Sequence, residues 1–203
     1  MQELKKNELY QKIHKSFAAA GFEESIACVQ GFVLGLISRG HSSSDPKSLE
    51  LTVNILNGGT RFSGTGIATF TTMAIELERE LENEKLSLFI PGKDESSPKK
   101  LLQAISDLAY GFNLGLCCES RPVAGSIVQE DYPLRNTMLN ENVEMLNEIA
   151  NVDTECELDD ESVEVVAEQL ERSMIIIYGL MHGKALPAEA TDDDNCPVSL
   201  SVK

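Results

Sequence analysis

Apolar residues recur every three to four positions through most of the chain, the spacing that gathers them on one side of an α-helix. Leu4, Leu9, Ile13 and Phe17 mark a first amphipathic helix over residues 4–20 that stops near Gly21. A second runs from about Ser25 to Ser38. Its apolar face, carrying Ile26, Val29, Val33, Leu34 and Ile37, is so broad that nearly the whole helix is expected to be buried, and Gly40 stands where a left-handed cap belongs. Asp45 and Pro46 start a third, because the carboxylate can accept exposed backbone N–H groups and proline already has a helical φ. Asn57-Gly58-Gly59 ends it.

A fourth helix is predicted from Thr65 to Glu84 on Ile67, Phe70, Met73, Leu77 and Leu81, followed by a short extended segment from Leu86 to Pro91. Ser97-Pro98 repeats the start signal for a fifth, which carries Leu101, Leu102, Ile105, Leu108, Phe112 and Leu116 and reaches about Cys118. Glu119 to Arg135 reads as a loop. Met138, Leu139, Val143, Leu146 and Ile149 make a sixth helix; Asp160 is placed to cap a seventh, with Val163, Val166, Leu170, Met174, Ile177 and Met181, ended by Gly183. The expected fold is all-α, one compact domain of about seven helices over residues 1–183. Residues 184–203 hold two prolines, the run Asp192-Asp193-Asp194 and little apolar pattern, so ordering them would cost more entropy than burial returns, and they read as an acidic disordered tail.

One internal repeat changes this picture. Gly31-Phe32-Val33-Leu34-Gly35-Leu36 and Gly111-Phe112-Asn113-Leu114-Gly115-Leu116 match at five of six positions, each with glycines four apart. Glycines so spaced share one helix face and let another backbone approach closely. Each costs its helix about 1 kcal/mol against alanine, so a packing reason is expected. The second and fifth helices are expected to cross at Gly31, Gly35, Gly111 and Gly115, as the core elements of two related halves.

Composition narrows the functions. With 33 acidic against 17 basic residues the formal net charge is -16, which disfavours direct binding to phosphate backbones. Such a charge solvates the chain and can steer a basic partner. The N-terminal residues are polar and lead into an amphipathic stretch, so no signal peptide is expected. The longest apolar run, Met174 to Met181, is far short of the roughly 20 residues of a membrane span. Five cysteines without CxxC spacing, at 28, 117, 118, 156 and 196, fit reduced thiols in a cytosol, with Cys28 and Cys117 expected to pack as small apolar residues.

No motif for chemistry is complete. Gly59 and Gly64 have the separation of a phosphate loop, but its lysine is missing and the preceding residues read as helix where a strand is required. Asp153, Glu155, Glu157, Asp159, Glu161 and Glu164 fall at the ligand positions of a calcium loop; Leu158, however, takes the place of the glycine that makes its sharp turn. An acidic segment that favours the start of the seventh helix explains these residues better. Ser63 or Cys118 with His14, His41 or His182 lacks a nucleophile elbow. The side chains of Cys117 and Cys118 diverge by about 100° on a helix, awkward for a shared metal. His182, near a helix C-terminus, is expected at the surface with its protonated form favoured by the dipole. No catalytic residue, metal ligand or cofactor is implied.

The run Gln30-Gly31-Phe32-Val33-Leu34-Gly35-Leu36, then Leu86-Ser87-Leu88-Phe89-Ile90-Pro91, then Leu108-Ala109-Tyr110-Gly111-Phe112-Asn113-Leu114-Gly115-Leu116, resembles the YgfB/YecA-like family of bacterial proteins over residues 5–183. The resemblance implies an all-α, dimeric, cytoplasmic protein without an established activity. Two positions depart from the family: Gln30 and Tyr110 stand where it often has histidine and tryptophan. Cys196 alone cannot form the zinc segment of YecA-type members, so the chain resembles the shorter, zinc-free branch. The expectation is a non-enzymatic, homodimeric interaction or regulatory module, without membrane or direct nucleic-acid binding. Its acidic surface, Asp153, Glu155, Glu157, Asp159, Asp160, Glu161 and Glu164, would engage a basic protein, nucleic-acid-binding proteins being among the candidates. The competing classes are an enzyme, hydrolase-like, with a site between helices, which would need a pocket of convergent polar groups, and a structural protein that associates only with itself.

Overall fold

The computed structural model describes residues 2–19, 22, 24–62, 64–91, 96–119, 132–155 and 159–184. Seven helices account for the regular structure among them: α1 (Gln2–Ala19), α2 (Ile26–Ser38), α3 (Pro46–Leu56), α4 (Gly64–Glu82), α5 (Pro98–Leu116), α6 (Tyr132–Ala150) and α7 (Asp160–Met181). The fold is all-α, as the periodicity predicts.

The starts are set by side chains that satisfy orphaned N–H groups. Ser25 accepts from Cys28 N at 3.1 Å, Asp45 from Lys47 N at 2.9 Å and Ser97 from Lys100 N at 3.4 Å. Gly40, Gly59 and Gly183 take left-handed φ values of 87°, 82° and 66° where α2, α3 and α7 end, a conformation that costs glycine little.

Several helix boundaries differ from the sequence reading. Asp159, not Asp160, caps α7, accepting from Ser162 N at 2.8 Å; the cap residue stands just outside the helix in an extended conformation, whereas Asp160 is already its first helical residue. Helix α6 begins at Tyr132, so Leu134 and Arg135 are helical where the sequence reads as loop. Pro133 sits in its first turn, where a missing N–H costs nothing, and Asn136, Thr137 and Asn140 hide the period. Helix α5 stops at Leu116, two residues short of Cys118. The Leu86–Pro91 segment, expected to be extended, pairs with no strand among the described residues, and Leu86, Leu88 and Phe89 are buried.

Every residue of α2 is buried. It lies at the centre, packed by α1, α3, α4, α5 and α7. Helices α2–α4 pack on one another, as do α5–α7, giving two three-helix units joined through α2 and α5. Phe17, Phe22, Phe62 and Phe70 link α1 to α4, with ring centroids 4.7 to 5.9 Å apart. All four are at most 9% exposed, and full burial of such a ring is worth about 1.5–3 kcal/mol. Two buried hydroxyls are satisfied within their helices: Ser38 Oγ donates to Leu34 O at 2.9 Å and Thr52 Oγ1 to Ser48 O at 2.8 Å.

Lys184, which the sequence assigns to the tail, is held: its N–H donates to Gly179 O at 2.9 Å and its Nζ to Glu82 O at 3.1 Å. The rest of that tail, residues 185–203, lies outside the described residues, as do Glu157, Cys156 and Cys196. No helix of the described residues is long and apolar enough to cross a membrane.

Candidate functional site

Three features bear on function: the crossing of α2 and α5, a pole where helix C-termini meet, and the outward face of α6 and α7.

At the crossing, Gly31, Gly35, Gly111 and Gly115 are where the two backbones touch. A β-carbon on Gly31 would lie 2.0 Å from Leu108 O and one on Gly111 2.0 Å from Cys28 O; on Gly35 and Gly115 the nearest atoms would be Phe112 O at 2.4 Å and Phe32 O at 2.3 Å. These four contacts are exchanged between α2 and α5 at positions 80 residues apart, so a local two-fold axis relates the helices at the crossing. They run parallel, and Arg39 Nε at the end of α2 donates to Cys118 O at the end of α5 at 3.2 Å. No side chain larger than hydrogen fits at these four positions, which makes them structural.

Gln30, the polar residue within the apolar run of α2, is wholly buried and holds the Leu86–Pro91 segment. Its Nε2 donates to Ser87 O at 2.8 Å and its Oε1 accepts from Phe89 N at 2.6 Å. The amide thus replaces a neighbouring strand for a stretch of chain that has none. A lone amide in an otherwise apolar helix is the sequence signal for such a strut.

The C-terminal ends of α2, α4, α5 and α7 meet at one pole, where side chains cap exposed carbonyls. His182 Nε2 lies 3.0 Å from Ile37 O and His41 Nε2 2.7 Å from Glu119 O, while Lys184 Nζ lies 5.1 Å from the centre of the Tyr178 ring, which stacks on His182. Ser43 donates both N–H and Oγ–H to Glu78 Oε2. The expectation of a surface His182 favoured in its protonated form is overturned: the ring is half-buried, and burial, ahead of its hydrogen bonds to backbone oxygens, holds its pKa below the ordinary value. Burial, more than Glu82 or Glu78, raises Tyr178. Arg135, in the first turns of α6, is buried; its Nη2 donates to Lys184 O at 2.7 Å, and among the described residues Nε and Nη1 have no acceptor.

The thiols divide. Burial pushes Cys28 up to about 12, so it remains a protonated core residue. Cys117, expected to be buried with it, is exposed, at the C-cap position where α5 has ended.

The acidic segment does not gather into a cage. Asp153 accepts from Glu155 N at 3.0 Å, Glu155 pairs with Lys99, and Asp159 caps α7; Asp153, Glu155, Asp159, Asp160, Glu161 and Glu164 are exposed at the α6–α7 corner. Among the described residues no three metal-ligating side chains converge. The segment continues into a pattern that spacing alone would have disclosed. Glu141, Glu144 and Glu148 lie on one outward face of α6; Glu161, Glu164, Glu168 and Glu171 lie on one outward face of α7. From Tyr132 to Lys184 the chain has twelve acidic and three basic residues. Of the three, Arg135 is buried and Lys184 is bound to the end of α4, leaving Arg172 on the outward surface.

No family model matches the chain, and no curated protein matches it. Among solved structures, the lpg0076 protein from Legionella pneumophila is similar, with a TM-score of 0.61 and 17% identity over 85% of this chain and 93% of that one. At this identity the likeness concerns the fold.

Proposed function

We propose that the protein is a non-enzymatic interaction module that engages a basic protein through the acidic face of its α6–α7 hairpin. The observation that carries this reading is the two rows of glutamates, with only Arg172 among them. Like charges three and four residues apart repel one another and cost each helix a few tenths of a kcal/mol. A cationic partner would relieve that repulsion and be steered toward the face, most strongly at low salt.

The relationship to YgfB/YecA-like proteins belongs to the same proposal, as do a homodimeric state and a cytoplasmic location. It draws support from the use made of the residues that carry the resemblance. Gly31, Gly35, Gly111 and Gly115 form the helix crossing, and Gln30 binds the Leu86–Pro91 segment.

The test is capture of proteins from native extract by the tagged chain, with and without nuclease, against a variant in which Asp153, Glu155, Glu161 and Glu164 become lysine. Asp159 is left intact because it caps α7. A basic protein kept after nuclease and lost with the variant is the expected result. Equal capture by a folded variant would refute the acidic-face mechanism.

A further inference from the structure

Resting on that reading, we propose that a groove on the outward face of α7 receives an arginine side chain of the basic partner. The groove has a volume of about 290 Å³ and is lined by Glu168, Glu171, Arg172, Ile175 and Ile176. That is at the lower bound for small-molecule pockets, which begin near roughly 300 Å³, and is suited to a single long side chain. Two of its lining residues are apolar, Ile175 and Ile176, and both are only partly covered. Glu168 and Glu171 stand three positions apart on its rim, and one oxygen of Glu171 already accepts from Leu86 N at 3.2 Å, which fixes that carboxylate.

This combination of aliphatic lining and paired carboxylates is complementary to arginine. The stem lies on the isoleucines while the guanidinium stays at the wet rim. Its planar fork can donate to two carboxylates at once, which the compact lysine ammonium does less well. The row continues toward the α6–α7 corner through Glu164 and Glu161, so neighbouring basic residues of the same segment meet further carboxylates. Arg172 opposes binding, offsetting one of the two rim charges, and that gives the proposal a sign test.

The experiment is a titration of the 15N-labelled full chain with a nonamer of arginine, read as amide shifts and as Kd. Expected are the largest shifts between Glu168 and Ile176, and a Kd raised about fivefold by Glu168→Gln, the upper range for one partly exposed ion pair. Ile175→Ser should weaken binding without altering charge; Arg172→Gln should tighten it. Glu144→Gln, which removes the same charge from α6, should leave Kd within about twofold. Shifts centred on Asp153–Glu161, or an equal effect of Glu144→Gln, would overturn the groove while leaving the acidic-face reading standing. Equal binding of a lysine nonamer would overturn the choice of arginine. Absence of binding to the unaltered chain at low salt would overturn both readings.

Discussion

Alanine in place of Gly111 puts a methyl carbon 2.0 Å from the Cys28 carbonyl oxygen, where ordinary contact begins at 3.4 Å. The obstacle is backbone, so no rotamer change relieves it. Helices α2 and α5 must part by more than an ångström along a crossing that also seats Phe32, Phe112 and Leu108, all fully buried. Overpacking of this kind costs about 1–3 kcal/mol, and the rigid obstacle argues for the upper end. Against it stands the helix preference of alanine over glycine, about 1 kcal/mol. A net loss of about 2 kcal/mol follows, which lowers Tm by about 4–8 °C in a chain of this size. Gly179→Ala is the matched control: its β-carbon would meet only the aliphatic part of Lys184 at 3.7 Å, so the same change in α7 should leave stability unaltered or raise it. The local two-fold axis adds a sharper requirement. Separation forced by Gly111→Ala also makes room at Gly31, so the double variant should lose less than the sum of the two singles by about 0.5 kcal/mol or more. Thermal unfolding followed by circular dichroism measures the four variants against the unaltered chain. A Tm for Gly111→Ala at or above that of the unaltered chain would refute the close-approach argument, and strict additivity would refute the shared separation.

Gln30→Ala removes the Oε1 acceptor of the buried Phe89 N–H and the Nε2 donor to the Ser87 carbonyl, at about 1–3 kcal/mol for the lost bonds, so the urea midpoint should fall and the Phe89 amide should exchange faster than in the unaltered chain. The His182 imidazole binds fewer protons folded than unfolded because burial lowers its pKa, so its contribution is complete above about pH 6.5 and fades as pH falls through that value toward the depressed one. The Tm drop between pH 7.5 and 5.5 should therefore be larger for the unaltered chain than for His182→Gln; equal drops would sink this assignment. Arg135→Met keeps the aliphatic stem and removes a buried charge that has one acceptor among the described residues, so it should be neutral or stabilising in urea unfolding, whereas a loss above about 2 kcal/mol would mean that the guanidinium has a further partner of substance.

Legibility in the sequence followed the range of the interaction. Helices α2, α3 and α5 could be placed because their caps and apolar faces are local: Ser25, Asp45 and Ser97 each act within three residues. The glycine pairs at 31/35 and 111/115 were legible for a different reason. A repeated penalty to helix formation requires compensation, and close approach of two backbones is a compensation that glycine alone permits. Arg135 escaped because its burial is set by Lys184, 49 positions away, and by the α6–α7 packing, neither of which is recorded near Tyr132. His182 failed in sign for the same cause: the helix dipole is local and visible, whereas the desolvation that outweighs it comes from packing against α2.

The acidic surface shows the reverse error, a local pattern read too locally. The acids from Asp153 to Glu164 read as one acidic segment, with a calcium loop already disfavoured by Leu158, and the carboxylates are divided among an Asx turn, a pair with Lys99 and a helix cap. What is continuous is the spacing of three and four along α7, from Glu161 to Glu171, matched on α6 by Glu141, Glu144 and Glu148. That continuity distinguishes the two chemistries. A metal needs ligands converging on a point, whereas a basic segment of a partner needs charges spread along a line, and two packed helices with outward glutamates supply lines. If the face served solvation alone, interspersed lysines would serve equally well with less repulsion. Their absence across α6 and α7, where Arg172 is the one outward cation, therefore favours a cationic partner over a merely soluble surface.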